Sequence, residues 1–205
     1  MEDVKKGTTT VAIVCKDAVV LATDRRASMG YLVAHKNVKK VYQIDDYIGA
    51  TVAGSVGDIQ SLIGSLKAEV NLYKMKNGTK MSTRSLATLT SHILHGQRYY
   101  PLIAWLVVAG FDDKPIAYSI DPIGGVNEDK TISTGSGSLV AYGVLESLYK
   151  DNMGWEEGAF VAIKAIKAAI ERDLATGNGI TMAVIDKDGY RELSDEEIIG
   201  LSNQN

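Results

Sequence analysis

Residues 7–13 read Gly7-Thr8-Thr9-Thr10-Val11-Ala12-Ile13 and predict the first β-strand of the chain. Threonine, valine and isoleucine are β-branched, and such residues favour the extended backbone of a strand. Cleavage after Gly7 would also give Thr8 a free α-amine beside its own hydroxyl, and a residue of that kind can serve as base and nucleophile. The run by itself does not distinguish a cleavage site from a strand that simply begins with threonines.

The order of predicted elements along the chain indicates two sheets with paired helices. Strands are predicted at Thr9–Lys16, Ala18–Thr23, Val41–Ile44, Tyr47–Ala53, Ile103–Phe111, Pro115–Ile120, Ile180–Ile185 and Tyr190–Leu193. Helices are predicted at Ser55–Lys76, Ser82–Tyr99, 137–150 and 155–173, with a short one from Ser194. Because strands and helices do not alternate singly, a doubly wound parallel sheet is disfavoured. We therefore expect one α+β domain, with a helix pair on the outer side of each of two sheets.

Composition and charge limit the classes of function. The chain has 205 residues, and 45% of them are hydrophobic, which suffices for one sizeable core. A formal net charge of −3 gives no reason to expect a nucleic-acid partner. The longest apolar stretch, Pro101–Gly110, is about half of the ~20 residues that a membrane span needs. The single cysteine fits a reducing compartment, so we expect a soluble cytoplasmic protein without nucleic-acid or membrane partners.

Four further positions carry candidate chemistry, and each has an ordinary structural alternative. Lys40 can activate a nearby hydroxyl, although lysines in such basic stretches are usually solvated. Asp24 follows a predicted strand and can hold a lysine in an ion pair or belong to a charged turn. Gly54, at a strand-to-helix junction, can donate its N–H to an oxyanion or simply permit a tight turn. The Gly-Ser segment 135–138 suits a helix cap better than a phosphate loop, because it lacks the lysine of such loops.

The histidines and the cysteine predict neither a metal site nor a cofactor site. His92 and His95 are three residues apart on a predicted helix, which is not the HExxH spacing, and no nearby carboxylate offers a third ligand. We interpret both as surface or packing residues. Cys15 lies in a predicted strand, so we expect it to be buried rather than reactive. We expect a protein that uses no metal and no cofactor.

Taken together and in this order, these segments resemble the β-subunits of 20S proteasomes, of the archaeal type. The matching segments beyond residues 7–13 are Ala22–Ser28, His35–Lys40, Ala53–Asp58, Thr134–Ser138 and Arg172-Asp173. The similarity extends from Thr8 to about Leu193 and thus covers nearly the whole chain. It implies the N-terminal nucleophile hydrolase fold, a four-layer αββα sandwich of two antiparallel sheets, in agreement with the predicted order of elements.

The resemblance also implies a threonine endopeptidase and a role for each matching residue. Residues 1–7 would be a propeptide and residues 8–205 the catalytic domain, with Thr8 freed as the nucleophile by autocleavage after Gly7. Asp24 and Lys40 would form an ion pair that tunes the Thr8 hydroxyl. The other implied catalytic residues are Gly54 for the oxyanion, and Ser136, Asp173 and Thr176 around the amine. Thr176 replaces the serine that is common there in the family, so its extra methyl leaves the local geometry open.

The implied substrate pocket has small side chains, which predict a preference for apolar substrate residues. Its residues are Ala27, Ser28, Val38, Val52 and Val56. The implied partners are other β-subunits in seven-membered rings, proteasome α-subunits, an ATP-dependent unfoldase that acts through the α-ring, and unfolded protein substrates. Three other interpretations stay open. They are a non-catalytic structural ring subunit of the same fold, a small-molecule N-terminal nucleophile amidohydrolase, and a bacterial two-component relative, which residues 23–26 fit less well.

Overall fold

The computed structural model describes residues 7–203, in which two five-stranded antiparallel sheets lie between layers of helices. The strands are β1 (Thr9–Val14), β2 (Ala18–Asp24), β3 (Ala27–Met29), β4 (Leu32–His35), β5 (Val41–Asp45), β6 (Ile48–Gly54), β7 (Ala104–Phe111), β8 (Pro115–Ile120), β9 (Val126–Glu128), β10 (Thr131–Gly135), β11 (Ile180–Asp186) and β12 (Gly189–Glu192). The helices are α1 (Val56–Asn77), α2 (Thr83–Gly96), α3 (Ser138–Leu148), α4 (Trp155–Arg172) and α5 (Asp195–Ser202).

The first sheet has the strand order β10-β1-β2-β11-β12, and the second has the order β5-β6-β7-β8-β9. Strands β3 and β4 form a separate hairpin. Helices α3 and α4 cover the outer face of the first sheet, and α1 and α2 cover the second. This is the predicted four-layer αββα sandwich, and its fold class is confirmed.

Strands β1 and β2 are buried on both faces because helices cover one face of the first sheet and the second sheet covers the other. Along β1, Val11 and Ile13 pack towards the helices, whereas Ala12 packs towards the second sheet. In β2, Val20 packs towards the helices and Leu21 packs towards the second sheet. Successive side chains of a strand point to opposite faces, so a strand that is covered on both sides needs an unbroken apolar run. The apolar run of β1 therefore fixes where this strand, and the residues at its start, lie in the fold.

Every predicted strand and helix is present, and the structure adds four strands that the sequence did not predict. Helix α2 ends at Gly96, three residues before the predicted Tyr99. Strand β10 was not predicted, because its five residues include a single apolar side chain and its pairing with β1 joins residues far apart in the chain. The hairpin of β3 and β4 also escaped prediction, since its strands are short and mostly exposed. None of the helices within residues 7–203 is long and apolar enough to cross a membrane.

Candidate active site

Thr8 lies directly before β1, where two neighbouring strands fix the backbone. Thr9, the first residue of β1, pairs with Gly135 of β10, and the next residue along pairs with β2. The Thr8 side chain is buried, and its hydroxyl donates a hydrogen bond to the Gly7 carbonyl oxygen at 2.7 Å. The Thr8 backbone N–H donates to the Ser136 hydroxyl at 3.3 Å. The hydroxyl is thus held beside the carbonyl of the bond at which cleavage was predicted.

Asp24, at the end of β2, is fully buried and accepts four hydrogen bonds. One carboxylate oxygen accepts from the Thr9 N–H at 3.0 Å and from the Lys40 amine at 2.7 Å. The other accepts from the N–H groups of Arg26 at 2.9 Å and Gly177 at 3.0 Å. A buried carboxylate needs this degree of pairing, because an unpaired charge away from water is costly. Asp24 therefore ties β1, the loop after β2 and the loop after α4 to one point.

Lys40 forms the ion pair with Asp24 that was predicted from the sequence. Its side chain is 6% exposed, in contrast to that of its neighbour Lys39, which is 56% exposed. Burial lowers the pKa of Lys40 below its ordinary value of 10.5, and the attraction of Asp24 only partly opposes this effect. The structure thus places a desolvated amine at the wall of the pocket that Thr8 also lines.

A second polar network lies behind Thr8 and contains three of the predicted residues. The Asp173 carboxylate accepts hydrogen bonds from the hydroxyls of Ser136 and Thr176. The Thr176 hydroxyl also lies 2.7 Å from the Thr9 hydroxyl. Thr176 makes both contacts despite its extra methyl group, so its geometry suits this network. Through Ser136 the network reaches the Thr8 nitrogen, which would become the amine after cleavage.

Gly54 ends β6 in a conformation that favours glycine. Its φ is +139°, and a Cβ at this position would lie 2.1 Å from the Ile103 carbonyl oxygen. Gly54 lines the same pocket as Thr8, so the structure places it where an oxyanion donor was predicted. Its role as a donor stays a prediction.

A pocket of about 480 Å³ opens beside Thr8. All five predicted substrate-binding residues line it, namely Ala27, Ser28, Val38, Val52 and Val56. Lining residues that sequence reasoning missed include Met29, Ala34, Tyr42 and Ile59. Met29 and Ala34 belong to the unpredicted hairpin of β3 and β4, and Ile59 lies on α1. The wall is largely apolar, as the predicted preference for apolar substrate residues requires.

The predicted site residues separate into two groups. Thr8, Lys40 and Gly54 line the pocket. The other four predicted catalytic residues lie behind Thr8 and contact its backbone or its neighbours, namely Asp24, Ser136, Asp173 and Thr176. Thr9, Arg26 and Gly177 were missed, because each contributes a backbone N–H group to Asp24, and a residue type does not reveal such donors.

The cysteine and the histidines have the surroundings expected of them. Cys15 is buried, and burial, aided by Asp17 and the glutamates at the start of α4, raises the pKa of its thiol to about 12. A thiol in that state is a poor nucleophile. His92 and His95 lie on α2, and a ring nitrogen of His95 is 3.2 Å from the Ile123 carbonyl oxygen. Within residues 7–203, no three side chains of metal-binding type are grouped closely enough to hold an ion.

Comparison with known proteins agrees with the fold. The family model described as proteasome subunit matches residues 4–185. Proteasome subunit beta of Methanocaldococcus vulcanius is 55% identical over 202 residues, which cover 97% of this chain and 91% of the relative. Proteasome subunit beta 1 of Thermococcus onnurineus is 55% identical over 201 residues, which cover 98% and 99%. Since both comparisons span nearly the full length, the chain belongs to the proteasome subunit family.

Proposed function

We propose that the chain is the catalytic β-subunit of a self-compartmentalised protease and acts as a threonine-type endopeptidase. The observation that carries the proposal is the contact between the Thr8 hydroxyl and the Gly7 carbonyl oxygen at 2.7 Å. Both residues line the same pocket as Lys40. This contact keeps the hydroxyl oxygen next to the carbonyl group whose carbon it attacks, and such closeness of reacting groups accelerates a reaction. In the chain as it stands, Thr8 carries an amide nitrogen, so residues 1–7 act as a propeptide that keeps residues 8–205 inactive.

Maturation is an acyl shift followed by hydrolysis. The Thr8 hydroxyl oxygen attacks the Gly7 carbonyl carbon, and the C–N bond between the two residues breaks. The hydroxyl proton ends on the released Thr8 nitrogen, and the acyl group is held on Thr8 as an ester. Water then hydrolyses the ester, which gives a Gly7 carboxylate and restores the Thr8 hydroxyl.

Peptide hydrolysis repeats these steps on a substrate bound in the pocket. The freed amine, with a pKa of ~7.7–8.0 for an ordinary α-amine, accepts the hydroxyl proton near neutral pH. The hydroxyl oxygen forms an acyl-enzyme with the substrate carbonyl carbon, and the Gly54 N–H stabilises the oxyanion. The leaving amine takes up the proton, and water later releases the acyl product. Lys40 and Asp24 bias the hydroxyl towards its reactive form, and Ser136, Asp173 and Thr176 orient the amine.

The pocket residue Val56 offers a test of substrate selection. Half of its surface is exposed, so Val56→Glu is compatible with folding and places a charge at the apolar wall. We expect the ratio of kcat/KM for apolar over basic fluorogenic peptides to fall by about tenfold or more. Leu72→Glu on the same helix, away from the pocket, is the matched control and should leave the ratio unchanged. An unchanged ratio in the Val56 variant would mean that substrates bind elsewhere.

The partners follow from the same proposal. The similar proteins are named as proteasome subunits, and we infer that this chain likewise assembles with proteasome α-subunits and with other β-subunits in seven-membered rings. An ATP-dependent unfoldase would deliver unfolded proteins through the α-ring. A cytoplasmic location fits this role and stays a prediction.

Two alternatives use the same fold, and one experiment separates all three. The chain is produced together with its α-subunit, and particle size and hydrolysis of an apolar fluorogenic peptide and of small amides are measured. A threonine endopeptidase gives large particles that hydrolyse the peptide. A structural ring subunit gives particles without activity, and a small-molecule amidohydrolase cleaves the amides instead. Either of the last two results would overturn the proposal.

A further inference from the structure

Gly7 packs against Ala175 so closely that no side chain fits between them. A Cβ built on Gly7 would lie 1.6 Å from the Ala175 Cβ and 2.8 Å from its Cα. The contact with Ala175 therefore requires glycine at this position.

Ala175 cannot easily move away, because polar contacts hold its loop on several sides. The Arg26 guanidinium donates to the Leu174 carbonyl oxygen at 2.7 Å and to the Asn178 side-chain oxygen at 2.8 Å. Within the loop, the Ala175 N–H donates to the Asp173 carboxylate at 3.3 Å. The flanking residues Thr176 and Gly177 are bonded to Asp173 and Asp24, respectively. A wall fixed at this number of points resists displacement by a new methyl group.

The opposite side of the cleavage site is equally fixed. Gly135 approaches the Thr8 carbonyl so closely that a Cβ there would lie 2.1 Å from the carbonyl oxygen. Thr8 is thus held by β10, while Gly7 is held by the loop that contains Ala175. The bond between Gly7 and Thr8 lies between these two supports, with the Thr8 hydroxyl against the Gly7 carbonyl oxygen.

From these contacts we propose that Ala175 is a positioning residue for propeptide removal: its methyl group selects glycine at position 7 and holds the Gly7 carbonyl at the Thr8 hydroxyl. The inference rests on the proposed function, since it concerns the same cleavage. It assigns Ala175 no contact with the peptide substrate. Its effect should therefore be confined to processing and be absent once the propeptide has left.

A steric double-mutant cycle tests this role. Gly7→Ala, Ala175→Gly and the double variant are each assembled with the α-subunit, and the rate of processing is followed by intact mass. We expect Gly7→Ala to slow processing about 100-fold, because a shift of about 1 Å in a reacting group has an effect of that size. Adding Ala175→Gly removes the nearer clash and should restore about tenfold or more of the lost rate. Recovery stays partial because the Ala175 Cα remains close.

Two controls separate positioning from general damage. Ala175→Ser keeps the Cβ, so the variant that combines it with Gly7→Ala should show no recovery. Processed Ala175→Gly particles should hydrolyse an apolar peptide with the kcat/KM of the wild type, which a structural defect would lower. Processing of Gly7→Ala at the wild-type rate, or a double variant no faster than Gly7→Ala, overturns the role of Ala175. Failure of the wild type itself to yield Thr8 as its first residue would instead overturn the proposed function.

Discussion

Replacement of Thr8 by alanine should abolish both propeptide removal and peptide hydrolysis. Both reactions use the same hydroxyl oxygen, so no other described group beside the Gly7 carbonyl can substitute for it. Loss of a catalytic nucleophile lowers kcat by about a million-fold in a well-studied hydrolase, which here means a fall to background. The measurement is intact mass together with hydrolysis of an apolar fluorogenic peptide by assembled particles.

The Thr8→Ala chain should still fold and assemble. The Thr8 hydroxyl donates its hydrogen bond to Gly7, its neighbour in sequence, so its loss leaves the pairing of β1 with β10 and β2 intact. Thr8→Ser is the matched control, because it keeps a hydroxyl and should retain processing and part of the activity. Normal peptide hydrolysis by assembled Thr8→Ala particles would contradict the assignment of Thr8 as the nucleophile.

Replacement of Lys40 should have the second-largest effect. Lys40→Ala removes the buried cation beside the pocket, and we expect kcat to fall about 100-fold or more, as when one electrostatic group of an active site is lost. The same change leaves the Asp24 carboxylate buried without its cation, which costs about 3–5 kcal/mol of stability. Lys40→Arg keeps the charge and should assemble better, but its planar guanidinium cannot occupy the position of the amine.

The pH dependence of activity provides a second readout for Lys40. Because burial lowers the pKa of this amine below 10.5, a reaction that needs its charged form should lose rate at a lower pH than an ordinary lysine would allow. The alkaline decline should disappear from the residual activity of Lys40→Arg, since arginine does not titrate in this range. Lys36→Ala, an exposed neighbour outside the pocket, is the control and should behave as the wild type. Full activity of Lys40→Ala would exclude a role for the amine.

The elements that the sequence predicted best are those whose burial is local and periodic. Leu62 and Leu66 recur at helical spacing and are buried on α1, and the unbroken apolar run of β2 is buried on both faces. Strand β10 is different, since its five residues include a single apolar side chain and pair with β1, which is far away in the sequence. Such pairing between distant segments is not encoded in the segment itself.

The residues of the candidate site also differ in how far the sequence reveals them. Thr8, Asp24 and Lys40 carry reactive side chains, so their residue types point to chemistry, and the family resemblance supplied their grouping. The backbone N–H of Gly177 and the methyl of Ala175 act by position, and glycine and alanine occur throughout the chain. Only the fold, which brings the loop after α4 against Gly7, makes these contacts visible.

The most direct test of the account follows the first residue and the activity together in time. Particles assembled from the full chain and its α-subunit are sampled, and each sample is divided between intact-mass analysis and hydrolysis of an apolar fluorogenic peptide. We expect activity to rise with the fraction of chains that begin at Thr8 and to be absent while residues 1–7 are attached. Full activity in particles whose chains still begin at Met1 would contradict the central claim, because Thr8 would then lack the free amine that the mechanism requires.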